Sequence, residues 1–312
     1  MRAQTKRIEW PDGKNFAFTV FDDPDAQTLE DGRLVYSFLA EHGFRTTKAV
    51  WPLAPIRTPS DHGDSCGNPE YLAWSRALQE SGFEIALHNA RCHTSTRAET
   101  QMGLDRFREQ FGHDPHSMAN HYFCDENMYH GQYRVSGATR FLYNLLTRGR
   151  NRRFFGHIPG HELFWGDLCR SRIRYFRNFA FDEINTLGSC PFMPYRDPAR
   201  PFVRAWFAVS EGSRCDRFVR QISEQNQDLL VEQGGACIMY THFGHGYVEN
   251  ARLNPRFQSL MKRLSEMNGW FVPVRVLLDY LAIQQGIHEI TPRERKTLER
   301  RWLLHKVRYG RA

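Results

Sequence analysis

Short apolar runs alternate along the chain with stretches that are apolar on one helical face only. Residues 16–21 (FAFTVF) read as a buried strand, and residues 28–41 as a helix closed by Gly43. A second strand is predicted over 46–51, then a helix over 70–80 stopped by Gly82, and a third strand over 83–87 (FEIAL). The next helix opens on a capping box, Thr96 with Glu99, and ends at Gly112. Residues 117–121 are a candidate fourth strand, 236–240 (ACIMY) a strong late one, and 269–274 another. The last helix starts at Thr291-Pro292-Arg293-Glu294, an N-cap with proline at the first helical position.

Strand followed by helix, several times over, implies parallel strands with right-handed crossovers: an α/β barrel or an open doubly wound sheet. No Pro/Gly/Ser linker divides the chain, so a single domain is expected, its core spanning about residues 15–280. Residues 148–212 read as a β-rich insertion, and about 285–312 as a helical extension packed on the outside.

Ligands of parallel α/β folds bind at the carboxyl ends of the strands. The residues that follow the apolar runs are therefore the informative ones. Asp22, Asp23 and Asp25 follow the first; His88, Asn89 and then His93 follow the third. Asn120 and His121 end the fourth, and Thr241 and His242 follow ACIMY with His245 close behind. Two histidines and a carboxylate with one open position form a catalytic zinc-type or non-heme iron site. A second carboxylate can take a proton from water and another histidine can give one to a leaving group. The remaining histidines, among them His62 and His130, read as surface or structural residues.

A net charge of +7 raises the question of an acidic partner. The excess gathers in Arg148, Arg150, Arg152 and Arg153 and in 293–301, without any nucleic-acid-binding motif, and reads as solvated basic surface. Nucleic acid is thus not an expected partner. The seven cysteines are scattered and never spaced C-x-x-C, which argues against a disulfide framework. No apolar run is long enough to span a membrane, and the basic first residues lack an apolar signal region, so a cytoplasmic protein is expected.

The segments Phe18-Thr19-Val20-Phe21-Asp22-Asp23, Gly82-Phe83-Glu84-Ile85-Ala86-Leu87-His88 and Ile238-Met239-Tyr240-Thr241-His242 resemble, in order and spacing, three motifs of the polysaccharide deacetylase superfamily. These are the NodB-homology proteins of carbohydrate esterase family four. The resemblance covers about residues 15–280. It implies a distorted (β/α) barrel of about seven strands and metal-dependent removal of N- or O-acetyl groups from sugars. Carried over, Asp22 would be the general base, Asp23 and His88 metal ligands, and His242 the general acid. The second motif runs His88-Asn89-Ala90-Arg91-Cys92-His93, one residue longer than the family pattern, so His121, His93 and Cys92 stand as alternatives for the third ligand. The family's arginine motif is replaced by Asn120-His121-Tyr122, and Arg177 is the candidate to orient the base.

The expectation is one divalent metal ion, zinc first and cobalt, nickel or iron otherwise. The substrate would be an acetylated sugar or polysaccharide precursor, met by Asn120, Tyr122, Arg177 and Tyr240. The departures resemble an outlying branch associated with bacterial surface-polysaccharide and O-antigen biosynthesis. Two rivals remain: a glycan-binding protein on a decayed deacetylase fold, and a metal-independent glycoside hydrolase using two carboxylates.

Overall fold

The computed structural model describes residues 8–58 and 63–309; the first residues of the chain and His62 lie outside them. Seven parallel strands close on themselves. They are β1 (Phe16–Asp22), β2 (Thr47–Val50), β3 (Glu84–Leu87), β4 (Ser117–Met118), β5 (Tyr175–Phe181), β6 (Ala205–Glu211) and β7 (Ala236–Thr241). β7 returns to pair with β1 from Ala17↔Ala236 to Asp22↔Thr241, which shuts the barrel. Helices Leu29–Glu41, Pro69–Glu80 and Arg97–Phe111 follow β1, β2 and β3, each capped by an Asn or Thr side chain. At the last of them Thr96 and Glu99 complete the capping box, and Gly112 ends the helix at φ 80°.

Residues 148–212 are no insertion. They supply β5 and β6, two of the seven staves. The strands are hard to read there because short helices (Gly166–Arg172, Thr186–Ser189) and a two-residue antiparallel strand, Tyr195–Arg196, interrupt the βα rhythm. The fourth strand is only two residues long. The expected strand over 269–274 is likewise the pair Gly269–Trp270, after which Val274 begins a helix that closes the barrel floor.

Side chains alternate between the lumen and the helix layer, and register carries one parity around the barrel. Thr47↔Glu84 and Ser117↔Tyr175 are register pairs. Ser117 Oγ donates to Glu84 Oε1 at 2.6 Å and Thr47 Oγ1 to Oε2 at 2.7 Å, so they share the inner face, at the floor. Two residues on, Ala86, Ala119 and Arg177 occupy the next layer, and two further on come His88 and His121. The pair Phe21↔Tyr240 faces inward as well, because the Arg177 guanidinium lies over both rings, 5.0 and 4.2 Å from their centroids.

The C-terminal helix, Pro292–Tyr309, packs against helix Gly137–Leu146 and β5. Its Glu299 is buried, accepting from the Ser136 backbone and hydroxyl and pairing with Arg200 at 2.9 Å. This extension is part of the fold, since removing it would leave Arg200 beside Asp197 without its second carboxylate.

Candidate functional site

The inward parity continues past the strand ends. Beyond Phe21 it reaches Asp23, beyond Tyr240 it reaches His242, and the turn after Pro24 brings in Asp25. At the rim Asp25 Oδ1 lies 3.3 Å from His88 Nε2 and 3.2 Å from His121 Nδ1, while Oδ2 lies 3.4 Å from His242 Nε2. Asp25, His88 and His121 are buried, and one ligand atom from each falls within 4.8 Å of the others. Trp51 backs the two imidazoles, 5.9 and 5.3 Å from their rings.

Neither ring nitrogen of His88 makes a hydrogen bond, and burial lowers its pKa against the pull of Asp23 and Asp25, favouring the neutral ring that binds metals. Burial would raise the Asp25 carboxyl, but the facing His121 and His242 rings hold it well below the usual range. A buried carboxylate with two imidazoles fits a divalent cation of the zinc or iron kind. His121 is fixed from behind by Asn89, which adopts φ 57° and accepts from the His121 backbone N–H at 2.8 Å. The Asn89 amide in turn donates to Glu126 and Asn127, which anchors it behind His121.

Asp22 is not at this rim. Its register partners are Lys48 and Thr241, and all three belong to the outward parity. Its carboxylate is fully buried behind the pocket, paired with Lys48 Nζ at 3.0 Å and accepting from Tyr36 Oη, Gln27 Nε2 and the Phe243 N–H. Asp22, expected as the base, thus links β1 to β2 and the first helix through these contacts. Lys48→Met, which strands a buried carboxylate, is expected to cost about 3–5 kcal/mol, read as a lower denaturant midpoint.

Asp23, expected as a ligand, instead receives both Arg177 nitrogens, at 2.9 and 2.6 Å. Arg177, expected to orient Asp22, pairs with its neighbour Asp23. His242 donates from Nδ1 to the Ser213 carbonyl at 2.8 Å, which aims Nε2 at Asp25 and Asp23, 3.4 and 3.7 Å away, and at Tyr240 Oη, 3.2 Å away. Burial opposes its charge, but Asp25, Asp23 and the Ser213 carbonyl outweigh it and raise its pKa to about 9.

A cavity of about 170 Å³ opens over these groups, lined also by Asn120, Tyr122, His130, Arg134 and Asn178. Asn120 spends both ends of its amide on the Met128 backbone, so it shapes the wall. Tyr122 is half exposed at the mouth. Arg134 donates to His130 Nδ1 at 2.8 Å and has no carboxylate in ion-pair range among the described residues. His130, read as structural from sequence, is a pocket residue. No strand-end pattern announces it or Arg134, since both sit near a 3-10 turn, Gly131–Arg134.

His93 does not reach the centre. Its Nε2 accepts from the Ile56 N–H at 3.3 Å and its Nδ1 donates to the Thr94 carbonyl, so both nitrogens serve the loop. Cys92 is buried outside the Asp25–His88–His121 group, and none of the seven cysteines forms a disulfide. No helix among the described residues is long and apolar enough to cross a membrane.

No protein-family model matches the chain, and no curated protein sequence matches it. Solved structures do. A protein assigned as a polysaccharide deacetylase from Mycobacterium smegmatis superposes with a TM-score of 0.51 at 12% identity, covering 91% of this chain and 96% of its own. The allantoinase Puue superposes with a TM-score of 0.52, also at 12% identity and with the same coverage of each chain. The chain therefore has the NodB-type barrel of closed parallel strands that the sequence resemblance implies.

Proposed function

We propose that the protein is a metal-dependent hydrolase that removes an acyl group, acetyl first, from the nitrogen or oxygen of a sugar or polysaccharide precursor. One observation carries this reading: a buried Asp25–His88–His121 cluster beside a separate carboxylate, Asp23, gripped by Arg177. A divalent cation held by Asp25, His88 and His121, zinc by preference, would supply Lewis-acid activation of water and of the acyl carbonyl.

The chain's own residues supply the proton chemistry. Asp23 stands beside the cluster with its orientation set by a two-point guanidinium contact, and takes the proton of the attacking water. The water oxygen joins the acyl carbon as the C–N or C–O bond breaks. His242, with Nε2 turned towards Asp25 and Asp23, gives its Nε2 proton to the departing amine or alkoxide. The roles are those of the family pattern, moved from Asp22 and Asp23 to Asp23 and Asp25. The similarity to structures of a deacetylase and an allantoinase agrees with hydrolysis of an acyl C–N bond on this barrel.

Acetate release from N- and O-acetylated sugars and sugar nucleotides tests the reading. Release is expected, abolished by a chelator and restored by zinc. Metal-loaded protein that releases acetate from none of them would overturn it. Arg134, facing the cavity with no carboxylate partner among the described residues, is placed to bind an oxygen-rich group of the substrate. Arg134→Gln is expected to raise KM by about 10- to 100-fold with kcat changed far less, the loss of one charged hydrogen bond made equally in ground and transition states.

A further inference from the structure

Helix Gly137–Leu146 is amphipathic, but the wrong way out for a helix that serves only a core. Its buried residues are Thr139 and Tyr143. At 100° per residue Ala138, Phe141, Leu142, Leu145 and Leu146 form one stripe that flanks this buried edge. Phe141 is 74% exposed, Leu142 46%, Leu145 66% and Leu146 52%. Soluble helices direct such a stripe inward, so an exposed one marks a surface that binds something.

The chain leaves this helix directly into a basic loop. Arg148, Arg150 and Arg152 are exposed, and none has a carboxylate in ion-pair range among the described residues; Arg153, by contrast, pairs with Asp125 at 3.2 Å. The surface also adjoins the pocket. Asn151 in the basic loop accepts from Tyr122 Oη at the pocket mouth, at 3.1 Å, and donates to Tyr143 Oη on the inner side of the helix, at 2.6 Å.

We propose that this face is a docking surface for the anionic headgroups of a lipid bilayer, with the apolar stripe entering the interface and the arginines meeting the headgroups. An apolar helical stripe with adjacent unpaired cations is the pattern of an interfacial helix. A second copy of this chain fits less well. Pairing two such faces would bring two unneutralised arginine clusters together. A helix of ten residues is also only about 15 Å long, too small to supply the roughly 800 Å² per partner of a stable dimer. Docking would turn the mouth at Tyr122 towards the lipid surface. The inference is independent of the reaction proposed above, because binding is read without turnover.

Flotation of the full chain with vesicles tests it, using phosphatidylcholine alone or with about 30% phosphatidylglycerol. The chain is expected to float with the anionic vesicles, less so as salt rises, and to stay behind with phosphatidylcholine alone. Arg148→Ser with Arg150→Ser and Arg152→Ser is expected to weaken partitioning on the order of a hundredfold. Phe141→Glu with Leu145→Glu should do at least as much, and both variants should keep the parent thermal midpoint because every changed side chain is exposed or half exposed. No flotation with anionic vesicles would overturn the proposal, as would flotation unchanged in both variants. So would a concentration-dependent dimer in light scattering that Phe141→Glu abolishes, which assigns the face to a second copy. Retention on an immobilised acidic peptide without vesicle binding would assign it to a protein partner and overturn the proposal equally.

Discussion

Protein purified without a metal-chelating tag is expected to carry about one divalent cation per chain, and Asp25→Ala and His88→Ala are each expected to lose it. Each substitution leaves two of three protein ligands, and neither ring nitrogen of His88 is taken up by a hydrogen bond. Asp22→Asn and His93→Ala are expected to keep the metal. The first sits behind the wall with Lys48, and the second spends its ring on the Ile56 and Thr94 backbone. Elemental mass spectrometry of the four variants, with Asp23→Asn beside them, reads the result directly. Loss of metal from Asp23→Asn with retention in Asp25→Ala would restore the assignment expected from sequence and reject the one drawn from geometry.

Asp23→Asn is expected to keep the metal and lose acyl-group release by about 10²- to 10⁴-fold in kcat, the range for removing a positioned general base. Asparagine preserves the volume beside Arg177 but has no basic oxygen, so the loss should fall on kcat and spare KM. Arg177→Ala tests the same pair from the other side. It leaves Asp23 buried and uncompensated, with an expected stability loss of about 3–5 kcal/mol besides the rate loss. Single-turnover acetate release beside metal content separates the roles. An Asp23→Asn chain that turns over at the parent rate would remove Asp23 from the chemistry.

The barrel was legible because its staves are local. FAFTVF before Asp22, FEIAL before His88 and ACIMY before Thr241 each announce a strand buried on both faces. The capping box at Thr96 and the glycine at 112 bound their helix without reference to anything distant. What stayed illegible was β5 and β6, where aromatic strands mix with short helices and turns. Register within the readable strands was also hidden. A run that is apolar on both faces does not say which parity looks into the lumen.

Without that parity, the linear order does not say which acid at a strand end faces the lumen. From sequence, Asp22 and Asp23 are two acids at a strand end, and His88, His121 and His242 are three imidazoles at others. The residue types, their places at the carboxyl rim and the metal-dependent hydrolytic chemistry they suit are all set by the linear order of strand and polar end. Only the closed barrel decides which of them meet. Phe21↔Tyr240 turns inward under Arg177, and Asp22↔Thr241 therefore turns outward to Lys48. Asp23 then lies beneath the Arg177 guanidinium, and the turn at Pro24 delivers Asp25 to His88 and His121. A side chain's direction on a strand has a period of two residues, whereas the hydrophobic signal of a doubly buried strand has none. The sequence names the participants, and the hydrogen-bond register of seven strands chooses among them.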